Sequence, residues 1–278
     1  LIDDVLAMRF AGFQESNKAS QVKTLSGDKS EYDGDGYRAS LRFEPTDTLA
    51  VNLMYQRVRP DRVNAVQVES AHLADASIVP NGTLIKPGDR KAVEDVADTS
   101  SQDFKRTNLE VEYVFGEHQL NYAGSYTEQA INRQESDDIG EVFPEWHNFS
   151  TPTYTVSEGQ SHELRWSSAE PLLDGIFDYA AGMLYQKNES LTDTTSETLL
   201  NMGARGGWRT VQTPVISDTA SEELSVYAHL TFYVTDSTEV SGGLRRIRYD
   251  NSSIINVRGA TISDEADRWF DTIYSASV

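Results

Sequence analysis

Apolar and polar residues alternate between Leu224 and Val234, and this pattern constrains the fold more than any other feature of the 278-residue chain. The apolar parity consists of Leu224, Val226, Ala228, Leu230, Phe232 and Val234. Successive side chains of a strand point to opposite faces, so this segment forms a strand with one apolar and one polar face. A polar turn at 235–239 leads into a second segment that ends near Tyr249. Together the two segments predict an antiparallel hairpin.

The same alternation recurs along the chain and predicts ten strands. They are Val5–Phe13, Tyr37–Glu44, Leu49–Gln56, Thr107–Phe115, Gln119–Thr127, His162–Ser168, Phe177–Gln186, two strands between Leu224 and about Tyr249, and a tenth from near Trp269. Short connections follow the second, fourth, sixth and eighth strands, and we expect every other connection to be long. The alternation slips at Arg245-Arg246-Ile247, which predicts a β-bulge or the point where the ninth strand leaves a membrane.

This order of connections is typical of a transmembrane β-barrel, which has short turns on one side of the membrane and long loops on the other. The chain has no run of the roughly 18–20 apolar residues that a membrane helix needs, so any crossing must use strands. Tyrosines near the strand ends predict an aromatic girdle. They are Tyr37, Tyr55, Tyr113, Tyr126, Tyr185 and Tyr249. The predicted fold is therefore an all-β, antiparallel transmembrane β-barrel with short periplasmic turns and long extracellular loops.

Composition excludes several other classes of function. A net charge of -20 argues against nucleic acid, whose phosphates require a basic surface. The absence of cysteine removes thiolate metal sites and cysteine nucleophiles, and the histidines lack the spacing of a zinc site. No Gly-x-Ser-x-Gly elbow or phosphate-binding glycine loop occurs. We therefore predict a protein that is not an enzyme and has no cofactor or metal site.

Four segments, taken in order, resemble the barrel of TonB-dependent outer-membrane receptors. They are Tyr37–Leu49, Ser161–Ser168, Asp178–Gln186, and Ala228–Asp236 with Gly243-Leu-Arg. The resemblance implies a 22-strand barrel around an N-terminal plug, with residues 1–278 supplying about ten strands from its middle. Both termini fall within predicted strands, so we expect the plug and the C-terminal strands to lie outside this chain. The ninth strand departs from the family, with Leu-Arg-Arg-Ile-Arg-Tyr where Leu-Arg-Tyr is usual.

The resemblance also implies a function and partners. Receptors of this family capture a scarce ligand and import it when the TonB complex acts on the plug. The ligand is most often a ferric siderophore, and relatives take up carbohydrate, haem or cobalamin. We accordingly expect an integral protein of a bacterial outer membrane, surrounded by lipid and lipopolysaccharide.

Residues in three predicted loops are candidate ligand contacts. Guanidinium groups pair well with an anionic siderophore or a lipopolysaccharide phosphate, and exposed aromatic rings stack on catechol or sugar faces. The candidates are Arg57, Arg59 and Arg62 after the third strand, Trp146 and His147 within 143–149, and Arg205, Trp208 and Arg209 within 203–209. The alternative is that these side chains are solvated at the barrel rim or pack the loops against the wall.

A second group of charged residues falls on the polar parity of the predicted strands. It comprises Arg9, Arg38, Arg42, Glu110, Glu112, Arg165 and Asp178. In a barrel these side chains face the lumen, where we expect them to form salt bridges with a plug.

Two alternatives from other classes use the same strands. Ten strands with half-apolar faces could form a soluble, secreted all-β protein, such as a sandwich or β-helix, for adhesion or carbohydrate binding. In a sandwich the apolar parity is buried between two sheets. A plain diffusion porin has no plug, and the long loops and family segments argue against it. The environment of the apolar parity separates the soluble module from the barrel.

Overall fold

The computed structural model describes residues 5–18, 20–24, 27–65, 87–92, 96–136, 150–201, 208–235 and 237–278. Ten antiparallel strands form one sheet in chain order, with β1 and β10 at its edges. The strands are β1 Leu6–Asn17, β2 Glu31–Thr46, β3 Leu49–Asn64, β4 Asp98–Phe115, β5 His118–Ser136, β6 Ser150–Ser168, β7 Phe177–Asn201, β8 Trp208–Thr235, β9 Thr238–Val257 and β10 Ala260–Ser277. A 3-10 turn at Pro87–Asp89 and one helical turn at Leu172–Gly175 complete the described elements.

The number, order and direction of the strands are confirmed, but the strands are longer than the alternation indicates. β7 has 25 residues and β8 has 28, and they pair continuously from Phe177↔Phe232 to Asn201↔Trp208. Alternation of apolar and polar residues marks only the part of a strand that has one apolar face. Beyond that part the alternation is lost, because polar residues lie on both faces and the apolar ones, such as Val215 and Ile216, keep to neither face. The predicted strands therefore stopped early at this end of the sheet.

The long connection predicted after β9 is wrong. Its connection to β10 is the two-residue turn Arg258-Gly259, with φ values of 52° and 80°, instead of a long loop. Positive φ at both positions defines a tight hairpin turn whose twist matches that of the strands. In addition, β9 pairs with β8 without a register shift through Arg245–Ile247, so the bulge, one of the two alternatives for this segment, is absent. The other alternative, that β9 leaves the membrane here, stays a prediction.

The register places the two parities on opposite faces of the sheet. Leu41, Leu53 and Leu109 are directly paired across β2, β3 and β4 on one face, and Arg42, Asn52 and Glu110 are paired on the other. The apolar side chains are spread apart, and Leu53 remains 42% exposed. The soluble alternative, with the apolar parity buried between two sheets, is not the structure that these strands form.

Crowding on the polar face identifies it as the inside of the curved sheet. Ser225 and Ser167 on this face are only 1% and 6% exposed. The hydroxyl of Tyr227 in β8 donates a 2.6 Å hydrogen bond to Glu163 in β6, passing over β7. Side chains converge on the inside of a barrel wall and diverge on its outside. We call the polar side the concave face and the apolar side the convex face.

Aromatic residues border the apolar band of the convex face at both ends. Tyr37, Tyr55, Tyr126 and Tyr185 lie on the convex face at the end opposite the short turns. Tyr113 lies at the turn end, with Phe115 stacked on it at 5.6 Å. Tyr249 is an exception to the predicted girdle, because it lies on the concave face with its ring 5.0 Å from that of Trp269.

Among the described residues, no helix is long and apolar enough to cross a membrane. Within the described part of the chain, the buried apolar residues form one small cluster near the loop end of the sheet: Val22, Ala65, Ala92 and Ala97. Backbone hydrogen bonds hold segment 20–24 beside 90–92, as in Lys23 N–H to Arg90 C=O at 3.0 Å. This cluster packs connecting segments on the strands, and the sheet itself has no apolar core on its concave face.

Candidate functional site

All seven charged residues predicted to face the lumen lie on the concave face. Arg38 donates to Gln56 Oε1 at 2.9 Å, and Arg42 pairs with Glu44 at 2.6 Å. Asp178 accepts hydrogen bonds from Ser168 at 2.8 Å and from Tyr233 at 2.7 Å. Many of their hydrogen bonds are therefore made within the wall. Contact with a plug remains a prediction.

A hydrogen-bonded cluster at the middle of the concave face was not found from the sequence. Arg245 donates to Glu223 at 2.7 Å and to Ser225 at 2.9 Å, beside the bond from Tyr227 to Glu163. The cluster joins β6, β8 and β9. Its partners are 20 to 64 residues apart in sequence, so only the strand register brings them together.

Arg57 and Arg59 were predicted to lie in a loop, but both lie within β3 and on the convex face. Arg57 makes a bidentate pair with Asp103, at 2.8 and 2.7 Å, and Arg59 pairs with Asp35 at 2.8 Å. The Arg57 guanidinium lowers the pKa of Asp103, despite partial desolvation of the carboxyl group. Both arginines are thus paired with carboxylates on the outside of the wall.

These pairs belong to a belt of charged residues on the convex face, beyond the row of tyrosines. The belt comprises Asp35, Arg57, Arg59, Asp103, Lys105, Glu128, Glu158, Lys187, Glu189, Glu222, Arg248, Asp250 and Arg268. Asp250 lies between Arg248 and Arg268, and hydrogen bonds from both lower its pKa. Glu158 is directly paired in register with both Glu128 and Glu189, a row of like charges.

The other predicted ligand contacts are distributed differently. Arg62 lies on the concave face with its guanidinium carbon 5.4 Å from the ring centre of Tyr32. Arg209 lies on the concave face near the start of β8, opposite Leu200. Trp208 begins β8, and its side chain lies outside the described part of the structure. Trp146, His147 and Arg205 also lie outside the described residues, so only Arg62 and Arg209 are placed on the inside of the wall.

Above the apolar band, the concave face of β5 to β9 is lined with neutral polar side chains. They include Thr127, Gln129, Ser157, Asn188, Ser190, Thr219, Ser221 and Asn251. These residues surround a concavity of about 300 Å³, with Phe104 and Tyr249 among its lining residues. Glu158 and Glu189 also border it, but the register places their side chains on the convex face. The sequence contained a signal for this surface, since serine and threonine recur at every second position between Ser190 and Ser196.

Two histidines of the described strands contact tyrosines, and a third, His229 in β8, has a buried Nε2 without a hydrogen-bond partner. The Tyr122 hydroxyl lies 2.7 Å from Nδ1 of His162, and that of Tyr179 lies 2.9 Å from Nδ1 of His118. Within the described ranges, no three His, Asp or Glu side chains are grouped so that they could hold a metal ion.

Comparison with solved structures gives strong matches to receptors at low sequence identity. The ferric yersiniabactin uptake receptor FyuA from Yersinia pestis matches with a TM-score of 0.72 and 13% identity, over 99% of this chain and 39% of FyuA. The closed form of the ferric-catecholate import receptor Fiu from E. coli K12 gives 0.70 and 11%, over 99% and 44%. The siderophore receptor PiuA from Acinetobacter baumannii gives 0.66 and 15%, over 99% and 43%. No protein-family profile and no curated protein sequence matches the chain.

At these identities the likeness establishes the fold. The chain forms an antiparallel sheet with the architecture of an outer-membrane β-barrel wall, and it spans about two fifths of each of the three matched structures. The predicted fold class is confirmed, and the predicted placement as integral strands of an outer membrane agrees with this fold.

Proposed function

We propose that this chain is a barrel-wall segment of a TonB-dependent outer-membrane receptor that imports a scarce ligand, a ferric siderophore in the first instance. The observation that carries the proposal is the match of 99% of the chain to receptors described as taking up ferric yersiniabactin or ferric catecholates. The protein is then a binder and transporter without an enzymatic reaction. The TonB complex would act through a plug supplied by the rest of the protein.

The two faces of the sheet suit this role. The convex face carries an apolar band bordered by tyrosines, which fits contact with lipid between two aqueous interfaces. The concave face carries charges and hydroxyl groups, which fit a hydrated lumen that holds a plug. Beyond the apolar band, the charged belt lies where lipopolysaccharide head groups would surround the barrel.

Uptake by whole cells tests the proposal. We expect cells that lack the full-length protein to lose uptake of at least one ⁵⁵Fe-labelled siderophore from a panel of hydroxamates, catecholates and carboxylates. The full-length gene should restore it, but only in cells with an intact TonB complex. Uptake that is unchanged by deletion of the gene, or restored equally without TonB, would contradict the proposal.

Cell fractionation separates the receptor from the secreted binding module. The receptor should remain with the outer membrane after a high-salt wash and should migrate faster on a gel before boiling than after it. Recovery of the full-length protein from the culture medium as a water-soluble particle would support the secreted module instead.

A further inference from the structure

In part of β5 to β9 above the apolar band, the charged side chains lie on the convex face and neutral side chains, many of them hydrogen-bonding, lie on the concave face. In residues 127–131, 153–159, 188–196, 217–221 and 251–257, every side chain that the register places on the concave face is uncharged. The charged side chains of these ranges all lie on the convex face: Glu128, Glu158, Glu189, Asp193 and Asp218. We call this neutral surface the hydroxyl wall.

Concentrating these carboxylates on the convex face costs free energy. This argues against a hydroxyl wall that is merely solvated and has no function. Glu128, Glu158 and Glu189 are neighbours in register across three strands, and like charges directly opposite each other destabilise a sheet. Lys105 and Lys187 offset part of this repulsion, because they pair with Glu128 at 3.2 Å and with Glu189 at 2.8 Å. Interspersing charges between the two faces would relieve this repulsion. All the carboxylates nevertheless lie outside, and the inside is neutral.

Hydroxyl groups on the wall are paired but not saturated. Thr155 and Thr192 are 3.1 Å apart, Ser157 and Ser190 are 3.0 Å apart, and Thr194 donates to Thr153 at 3.2 Å. A hydroxyl group offers one donor and two acceptor positions, and each pair uses one of each kind. One hydroxyl hydrogen and several lone pairs per pair therefore stay available to a ligand.

Gly159 forms the floor of the concavity. A Cβ atom at this position would lie 2.8 Å from both Asn188 Oδ1 and Thr127 Oγ1, so the absent side chain lets these polar atoms converge. With Phe104 and Tyr249, the surface combines two aromatic rings with many neutral hydrogen-bonding groups. Small-molecule sites of 300–1,000 Å³ commonly combine apolar area with a few convergent polar groups.

We propose that the hydroxyl wall binds a neutral ligand that presents several hydroxyl or carbonyl oxygens, in preference to an anionic ligand. An anionic chelate would find no cation within the wall. Arg106, paired in register with Thr127 at the edge of the wall, already donates to Asn108 Oδ1 at 2.8 Å, and the carboxylates on the other side of the sheet would repel the chelate. A neutral ferric hydroxamate and a neutral oligosaccharide share the required chemistry. The inference rests on the proposed import function and specifies the ligand class of that function.

Direct binding to the full-length receptor in detergent tests the inference. The probes are a neutral ferric trihydroxamate, a triply anionic ferric tris-catecholate and maltotriose. The wall variant carries Ser157→Val, Asn188→Leu and Thr219→Val. The control carries the same chemical changes on the convex face, Ser252→Val, Asn132→Leu and Thr195→Val, and heat-modifiability on a gel verifies that both variants fold.

We expect one neutral probe to bind, with at least tenfold weaker binding to the wall variant and unchanged binding to the control. The trihydroxamate and maltotriose arms then distinguish an iron chelate from a sugar. Binding of the anionic chelate alone, no binding of either neutral probe, or equal losses in both variants would overturn the inference. TonB-dependent uptake is measured separately in cells. If uptake does not depend on TonB but the wall still binds a neutral probe, only the import function is refuted.

Discussion

At the scale of single residues, Gly182 lets Tyr227 reach a carboxylate two strands away. A Cβ atom at Gly182 would lie 2.6 Å from the tyrosine ring and 2.7 Å from the carbonyl oxygen of Leu164. Contacts under 3 Å with backbone cannot be relieved by turning a side chain. The tyrosine hydroxyl therefore depends on this glycine for its 2.6 Å hydrogen bond to Glu163.

We expect Gly182→Ala to destabilise the barrel by about 1–3 kcal/mol, the usual cost of overpacking a filled site. Gly242→Ala is the matched control, because its Cβ atom would lie 3.6 Å from the nearest heavy atom, an ordinary contact. Urea-induced unfolding of the full-length protein in detergent measures both. Equal stability of the two variants would show that Tyr227 can move aside without loss.

A second residue-scale prediction concerns Asp103 in its pair with Arg57. The folded-state pKa of Asp103 lies below its ordinary value of about 3.9. Stabilisation by the pair is therefore present above that pH and is lost as the pH falls through the folded-state pKa. We expect Asp103→Asn to lower the melting temperature by about 1–3 °C at pH 7, with a difference from wild type that shrinks as the pH falls through the folded-state pKa.

The control for Asp103 is Glu135→Gln, which removes a carboxylate whose contact with Arg133 is a single exposed pair at 3.4 Å. Thermal unfolding followed by intrinsic fluorescence between pH 2 and pH 7 should show no comparable pH-dependent difference there. A constant difference between Asp103→Asn and wild type across this range would mean that packing, and not charge, stabilises the contact.

At the scale of elements, the hairpin of β9 and β10 depends on two residues in the left-handed region. The N–H of Arg258 donates to Pro214 C=O at 3.0 Å, so the turn also contacts β8. We expect Gly259→Val to destabilise the loop end of the hairpin by about 1–2 kcal/mol, because only glycine adopts positive φ without steric cost. Arg258→Asn should be tolerated, since asparagine is favoured in such turns.

Hydrogen exchange measures this element directly. Amides of 250–257 and 260–267 should exchange faster in Gly259→Val, while those of 241–246 should keep the wild-type rate. Acceleration over the whole of β9 would show that the turn stabilises the entire strand and not only its end.

The sequence predicted the strands well where one face is apolar and the other polar, and poorly where the two faces do not differ in this way. The band with one apolar face has a period of two, so all ten strands and their turn-end boundaries near Leu49, Phe115 and Phe177 could be found. Beyond the band neither face is consistently apolar, and the same backbone pairing continues without a periodic signal. The segment Arg258-Gly259 also went unnoticed, because the residues before it, Ile254-Ile255-Asn256-Val257, do not alternate and give no signal of where β9 ends.

The candidate site shows the same limit. Alternation alone placed Arg38 and Glu110 on the concave face, because the face to which a strand residue points does not depend on where the strand is predicted to end. Arg57 and Arg59 were assigned to a loop because β3 was ended too early, and their pairing with Asp103 and Asp35 required the register. The hydroxyl wall needed five strands to be aligned, which no local pattern specifies.

At the scale of the whole molecule, the sheet separates two environments, and its stability depends on which face receives a charge. Leu53 lies on the convex face between Leu41 and Leu109, and its neighbour Asn52 points to the concave face beside Arg42 and Glu110. An arginine on the lipid-facing side of a barrel costs about 2–4 kcal/mol near the bilayer midplane. On the concave side, water and neighbouring charges solvate the same group.

We therefore expect Leu53→Arg in the full-length protein to reduce the folded, heat-modifiable fraction in outer membranes severalfold, and Asn52→Arg to leave it nearly unchanged. The two variants add the same charge one residue apart, so strand propensity and chain length cannot explain a difference between them. A gel of unboiled membrane fractions measures the folded fraction. If Asn52→Arg were the more damaging change, the concave face would be the one in contact with lipid.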